Sequence, residues 1–335
     1  MSVAIGILKD GSAVKIGEES PNEHIALFGI SGSGKSTRIA QLVEDAVKNG
    51  DTVLALDLAG QDYKNISFPI NRIIVSKGIG LRFLDMEKEQ NGQEDYVNFV
   101  SYLVEIFADV FGLGIRQQGA FREAVEFAMT YNDNYLTDMD AIVAGLDGQN
   151  TDVSQGVYNK LWGIVKSGIF HNGMIEIQKG KINILSFEGL NASMQKQLAE
   201  IILSTIWKDI RMKKGEMDRI SVVVDEFQKF LLKKNAVLLE MLREARKYQL
   251  NIILATQSTT GLSKNVMAAV NQTAIQLYFR THASEMKKIA EMIEPQNVSH
   301  WLPILKQLRI GESVATGNFM INGRKMQKPM ILKSF

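Results

Sequence analysis

The segment Gly29-Ile30-Ser31-Gly32-Ser33-Gly34-Lys35-Ser36-Thr37 restricts this chain more than any other stretch of it. It satisfies G-x-x-x-x-G-K-[ST] and sits where that pattern has physical meaning, after the apolar run His24 to Phe28 and at the head of a helical stretch, Lys35 to Lys48. In that stretch Ile39, Leu42, Val43, Ala46 and Val47 share one face. Glycines let successive backbone N–H groups turn toward one anion, and the helix N-terminus adds the positive end of its dipole. Gly29, Ser31, Gly32, Ser33 and Gly34 would cradle the phosphates of ATP, with Lys35 reaching the β and γ groups. Ser36 offers a hard hydroxyl oxygen to Mg²⁺, and Thr37 lies near the α-phosphate.

The flanking pattern sets the fold class. Thr52 to Leu56 is a second buried strand ending in Asp57, and strand, helix, strand without room for a hairpin is a βαβ unit with parallel strands. Val3 to Leu8 and Ala13 to Ile16 flank Asp10-Gly11 and predict a small hairpin, and Arg72 to Val75 predicts a third strand. From Glu94 to Lys166 four helical patterns follow one another, at Tyr96–Phe111, Gln117–Tyr131, Thr137–Leu146 and Val153–Lys166. Strand signals return at Met174–Ile177 and Ile182–Phe187, followed by a helix from Ala192 to about Lys213 and the strand Ile220–Val224. A helix at Ala236–Tyr248, strands at Asn251–Ala255 and Thr273–Phe279, helices at Ser284–Ile293 and Trp301–Leu308, and a β pair at Ser313–Thr316 and Gln327–Leu332 complete the pattern. The expectation is an α/β domain with a mainly parallel central sheet, split as 1–93 and 169–335 around an all-helical insertion at 94–168.

Composition excludes several classes. The chain has 335 residues, 45% of them apolar, which is enough for a substantial core. With 38 Lys+Arg against 37 Asp+Glu the net charge is +1, so any nucleic-acid surface must be local or assembled from several copies. Zero Cys excludes disulfides, thiolate metal sites and thiol nucleophiles, and fits a reducing cytoplasm. No apolar run approaches the roughly 18 residues of a membrane helix, so the expectation is a cytoplasmic protein with no direct membrane insertion. His24, His171, His282 and His300 lack metal-ligand spacing, and Tyr96, Phe99, Phe107 and Phe111 read as core. Lys213-Lys214 and Lys233-Lys234 read as exposed helix ends.

A second cluster of candidates completes the chemistry. Ile220 to Val224 ends in Asp225-Glu226, and the carboxyl ends of parallel strands are where such sheets gather their ligands. Asp225 would join the Mg²⁺ shell, leaving Glu226 to orient or deprotonate an attacking water. Gln257, at the end of the next apolar strand, is placed to meet the γ-phosphate or that water. Upstream, Arg243 and Arg246 close a helix with permanent positive charge, and Arg280 stands at another strand end.

These motifs together resemble the FtsK/HerA division of P-loop ATPases, which includes conjugative coupling proteins, type IV secretion ATPases and viral packaging motors. The resemblance rests also on Val53-Leu-Ala-Leu-Asp57-Leu-Ala-Gly60, on Ile182 to Leu190, and on Arg243-Glu-Ala-Arg246-Lys-Tyr followed by Ala-Thr-Gln257. It implies a RecA-like fold, a homo-oligomeric, six-membered ring, and Arg246 as an arginine acting on the neighbouring copy's site, with Arg243 in reserve and Arg280 ranked after it. It also implies that the hairpin before Pro21 is what stands in place of a larger N-terminal β-barrel. The function implied is an ATP-hydrolysing motor that translocates DNA, duplex rather than single-stranded. Loops at Ala59–Asn65, with Gln61 and Lys64, and at Ser258–Asn265, with Lys264, are the pore candidates. An ATPase that energises a protein or type IV secretion machine, recruited to the membrane by partner proteins, is the alternative, and a nucleotide switch that moves nothing is a third.

Overall fold

Short β-branched runs separated by helix-sized gaps favour parallel pairing with crossover helices, and such strands read as continuous apolar runs because both faces are covered. In the computed structural model, residues 3–58, 60, 66–85, 93–171, 173–212, 219–230 and 236–334 are described. The strands are β1 (Ala4–Ile7), β2 (Ala13–Ile16), β3 (Ile25–Phe28), β4 (Thr52–Asp57), β5 (Ile70–Ile74), β6 (Ile79–Gly80), β7 (Phe170–His171), β8 (Ile182–Ser186), β9 (Ile220–Val224), β10 (Leu250–Thr256), β11 (Ile275–Tyr278), β12 (Glu312–Gly317), β13 (Phe319–Ile321), β14 (Arg324–Met326) and β15 (Met330–Lys333). The helices are α1 (Lys35–Lys48), α2 (Gln93–Phe111), α3 (Ile115–Tyr131), α4 (Asp138–Gln149), α5 (Asp152–Ser167), α6 (Ala192–Met212), α7 (Val237–Glu244), α8 (Lys264–Val270), α9 (Met286–Ile293) and α10 (Val298–Gln307).

One sheet runs in the order β14-β13-β2-β1-β15-β12-β11-β3-β10-β9-β4-β8-β5. From β11 to β8 the strands are parallel, and their registers bring Phe28, Leu56, Val224 and Thr256 toward one edge. From β11 outward through β12, β15, β1, β2, β13 and β14 every junction is antiparallel. Every residue of β3 and β4 is buried, and α1 turns Ile39, Leu42, Val43 and Ala46 into the same core. The N-terminal hairpin is therefore part of the main sheet: β1 pairs with β15 and β2 with β13.

The chain divides into two compact units, one of residues 1–72, 177–186 and 215–335, the other of 73–176 and 187–214. The second is larger in sequence than the helical stretch read at 94–168 and includes α6. Within it Thr137 and Thr151 cap α4 and α5 by accepting from Asp140 N–H at 3.0 Å and Ser154 N–H at 3.1 Å. Phe107 is the centre of its core, with ring centroids of Phe121, Phe111 and Phe83 at 4.8, 5.6 and 5.7 Å. Phe99, Phe107 and Phe111 are buried, as expected of core residues.

Three expectations are corrected. Met174–Ile177 is not a strand: Met174 and Ile177 are exposed, so no buried face drives pairing, and the strand beside it is the two-residue β7. The helix read through Tyr248 stops at Glu244 and continues as a 3₁₀ turn over Ala245–Tyr248. Ser258–Asn265 is a loop only to Ser263, whose hydroxyl caps α8 by accepting from Val266 N–H at 3.3 Å, so Lys264 is helical. The hairpin β13–β14 was not anticipated. Ala59, residues 61–65 with Gln61 and Lys64, Lys213-Lys214 and Lys233-Lys234 lie outside the described residues.

His24 yields a test of the core. It is 1% exposed, its Nδ1 accepts from Ile252 N–H at 3.2 Å, and burial lowers its pKa from 6.5 to about 4. The unfolded chain takes up the proton near 6.5 and the folded chain only near 4, so between these values the unfolded state binds more protons and stability falls as the pH is lowered. Chemical denaturation should give a loss of about 2 kcal/mol between pH 7 and pH 5 from this group. His24→Asn, which keeps an acceptor but does not titrate, should flatten the profile, and an unchanged slope would contradict the assignment.

Candidate functional site

The loop after β3 is shaped by its own hydrogen bonds. Ile30 N–H donates to Arg280 C=O at 2.9 Å and Gly29 N–H to Thr256 C=O at 3.2 Å, fixing the loop to the ends of its two neighbouring strands. Ser33 Oγ donates to Ile30 C=O at 2.7 Å. Lys35 is buried and folds back, its Nζ donating to Gly29 C=O at 2.6 Å and Ile30 C=O at 3.2 Å. Burial pushes the Lys35 ammonium below its usual pKa, while the carboxylates of Asp225 and Glu226 pull it back up. Gly34 caps α1 at φ 106, and a Cβ there would stand 2.6 Å from Gly311 N, so glycine is required twice over. Ser31 and Gly32 are exposed, as are Ser36 and Thr37 on the first turn of α1.

The acidic pair faces the same edge. Asp225 is 2% exposed, and its Oδ1 accepts from Glu226 N–H at 2.9 Å. Burial, reinforced by the charge of Glu226 and by Asp57 at the end of β4, raises the Asp225 pKa to about 6 against the opposing pull of Lys35. Glu226 is equally buried and has φ 56, a left-handed conformation that a non-glycine residue adopts at a cost. Both of its carboxylate oxygens are engaged: Oε1 accepts from Gln257 Nε2 at 2.5 Å and Oε2 from Gln228 Nε2. Lys35, Asp225, Glu226 and Gln257 thus converge beside the phosphate loop.

Two further residues were not found by sequence reasoning. Gln228 follows the acid pair by two positions, and its Oε1 is buried without a hydrogen-bond partner among the described residues. Glu285 Oε1 accepts from Ser258 Oγ at 2.9 Å, Thr259 N–H at 2.8 Å, Thr259 Oγ1 at 3.0 Å and Thr260 Oγ1 at 2.9 Å. Burial works to raise its pKa, but these donors hold the carboxyl below its ordinary value. The segment after Gln257 is thereby pinned at its root. Neither residue has a periodic or spacing signal; Gln228 is foreshadowed only by its closeness to Asp225-Glu226.

The arginines separate. Arg243, Arg246 and Arg280 are all exposed. Arg280 adjoins the phosphate loop through its carbonyl, whereas Arg246 precedes β10 and stands at the opposite edge of the sheet. The seven residues of β10 span about 20 Å, so within one protomer Arg246 does not join the other candidates. It lines a cleft of about 260 Å³ with Arg219, Glu23, Gln249 and Asn251, in which Arg219 is paired with Glu23 and, at 3.3 Å, with Asp51.

Residues 3–299 match the family described as "Helicase HerA, central domain", and the chain belongs to that family. The DNA double-strand break repair helicase HerA of Sulfolobus acidocaldarius is 23% identical over 352 residues, covering 96% of this chain and 66% of the relative. The protein of the same description from Saccharolobus solfataricus is 24% identical over 333 residues, covering 92% and 64%. The chain spans just under two thirds of the length of these relatives. Among solved structures, VirB4 of Thermoanaerobacter pseudethanolicus superposes with a TM-score of 0.74 at 13% identity, covering 100% of this chain and 96% of that one. Plasmid coupling protein TrwB in complex with ADP and Mg²⁺ gives 0.62 at 13%, covering 93% and 85%. The fold is thus the RecA-like α/β fold of P-loop ATPases, as the resemblance to FtsK/HerA proteins implied.

The Glu285 anchor makes a prediction independent of any activity. Hydrogen bonds to an ionised acceptor contribute about 1.5–3 kcal/mol. Glu285→Ala should destabilise by about that much and, in hydrogen exchange, speed the Thr259 amide while leaving β10 protected. Unaltered exchange at Thr259 would mean that the carboxylate does not hold the segment.

Proposed function

We propose that this member of the HerA central-domain family is an ATP-hydrolysing ring motor that translocates DNA. The observation that carries the reading is the division of the candidates between the two sheet edges. Lys35, Asp225, Glu226 and Gln257 meet at the phosphate loop, and Arg246 lies about one strand length away, where only a second copy could use it.

ATP would lie with its phosphates over Gly29, Ser31, Gly32, Ser33 and Gly34, and Lys35 would exchange its loop carbonyls for the β and γ oxygens. The donors present suit Mg²⁺: an exposed Ser36 hydroxyl and the Asp225 carboxylate are hard oxygens, and Mg²⁺ takes few protein ligands when phosphate and water complete its shell. Among the described residues no cluster of three His, Cys, Asp or Glu forms a metal site of its own, in keeping with an ion shared with the nucleotide. Mg²⁺ held there would neutralise charge on the phosphate oxygens. Glu226 Oε1 is held by Gln257, and an amide that turns from Glu226 to the terminal phosphate releases that oxygen to take the proton of an attacking water. Arg246 of one copy would then stabilise charge at its neighbour's site.

A neutral protomer suits such a ring, since a few Lys or Arg from each copy suffice for sliding contacts to duplex phosphates. Lys264, at the head of α8, is the described pore candidate. No helix among the described residues is long and apolar enough to cross a membrane. The same chemistry would serve an ATPase that energises protein secretion.

DNA dependence separates the two. Duplex DNA at low salt should stimulate ATP turnover by the purified oligomer, and absence of stimulation would move the reading to protein export. Lys35→Ala should abolish ATP binding in calorimetry, whereas Glu226→Gln should keep binding and lose turnover by about 10³-fold or more. Arg246→Ala should lower turnover by about 10³-fold, and mixing it with Glu226→Gln subunits should partly restore activity. Full turnover by a proven monomer would contradict a site shared between copies.

A further inference from the structure

Glu226 opens a turn that brings one of its own partners back to it. At φ 56 it stands just before the 3₁₀ turn Phe227–Lys229, and its C=O accepts from Lys229 N–H at 2.8 Å. Phe230 N–H donates to Phe227 C=O at 3.1 Å, and both phenylalanines are buried, so the turn is fastened to the core on either side of Gln228. The Gln228 Nε2 is thereby returned to Oε2 of the carboxylate two residues earlier. The other oxygen, Oε1, is held from the end of β10 by Gln257 Nε2 at 2.5 Å.

Fold stability does not account for a glutamine here. Its Oε1 is buried with no hydrogen-bond partner among the described residues. A buried carbonyl left unpaired is destabilising, and an apolar side chain of the same length would fill the space without that loss. What glutamine adds at this position is one N–H directed at one oxygen of Glu226. The backbone of Glu226 adds a second, independent sign, because a non-glycine residue held in the left-handed region is strained, and such strain persists where the geometry of a reacting group is fixed by its surroundings.

On the reading that Glu226 takes the proton of the attacking water, we infer that Gln228 is a positioning residue for hydrolysis: it tethers Oε2, so that departure of Gln257 frees Oε1 alone. A carboxylate released at both oxygens turns about its terminal bond and accepts from whatever donor it meets. One tethered at Oε2 keeps Oε1 in a single direction, which is what proton transfer to a placed group requires. Gln228 needs no contact with nucleotide or water for this role, so it serves the chemical step and not nucleotide affinity.

Gln228→Met in the full chain tests this, since it keeps the length of the side chain and has no N–H to donate. It should lower kcat for ATP by about 10- to 100-fold, leave KM and the calorimetric affinity for ADP unchanged, and leave the thermal unfolding midpoint at or above that of the wild type. Added to Glu226→Gln it should lower turnover no further, because both substitutions act through one carboxylate. An unchanged kcat overturns the role. So does a lower kcat accompanied by a lower midpoint or weaker ADP binding, and so does the same loss on top of Glu226→Gln. A second measurement needs no variant: in a crystal structure of the wild-type chain with a non-hydrolysable ATP analogue, Glu226 Oε2 should still accept from Gln228 while Oε1 has parted from Gln257. Loss of the Gln228 contact, or an Oε1 still on Gln257, overturns the role. Wild-type turnover in Glu226→Gln alone is a different failure, since it removes Glu226 as the base and the role of Gln228 falls with it.

Discussion

A tight glycine-rich turn must find partners for its buried carbonyl oxygens, and the loop after β3 draws those partners from several parts of the first unit. Gly29 and Ile30 carbonyls are taken by Lys35, Ile30 again by Ser33 Oγ, Ser33 by Gly311 N–H, and Gly34 by Arg38 N–H. These partners come from three places: the loop itself (Ser33), the helix α1 behind it (Lys35 and Arg38) and the turn at Gly311.

Arg38 shows how far that organisation reaches. It is fully buried on α1, its guanidinium lies 5.9 Å from the Phe279 ring centroid, and it donates to Ile5 C=O, to Ser334 Oγ at 3.4 Å and, at long range, to Gly311 C=O at 3.5 Å. Burial lowers its pKa to about 10, so it keeps its charge at neutral pH. Among the described residues its acceptors are neutral oxygens, an expensive setting for a buried cation, and it ties β1, the turn at 311 and residue 334 to the helix that begins at the phosphate loop.

Much of this was legible beforehand, for reasons that differ by element. β3, α1, β4, β9 and β10 announce themselves because buried strands are apolar throughout and α1 has a single apolar face; the edge at which they end then places Asp225, Glu226 and Gln257 near Lys35 without further information. The arm β13–β14 escaped notice because Arg324, Lys325 and Met326 are all exposed, so no alternation marks the strand. α8 is seven residues long, too short for periodicity to rise above its surroundings. Gln228 and Glu285 act through single hydrogen-bonded contacts, and Glu285 is 27 residues from Ser258, a distance over which composition carries no signal.

The insertion of β1 between β2 and β15 has a temporal consequence. Ile7 aligns with Lys333, so β1 finds one of its two neighbours only after synthesis has proceeded through Lys333. Until then the hairpin has an open side, and the guanidinium of Arg38 lacks the hydroxyl of Ser334. Contacts of such long sequence separation form late because loop closure must precede them. The glycine loop would therefore stay unbraced in a nascent chain until the segments that carry Thr256, Arg280 and Ser334 have emerged and closed around it.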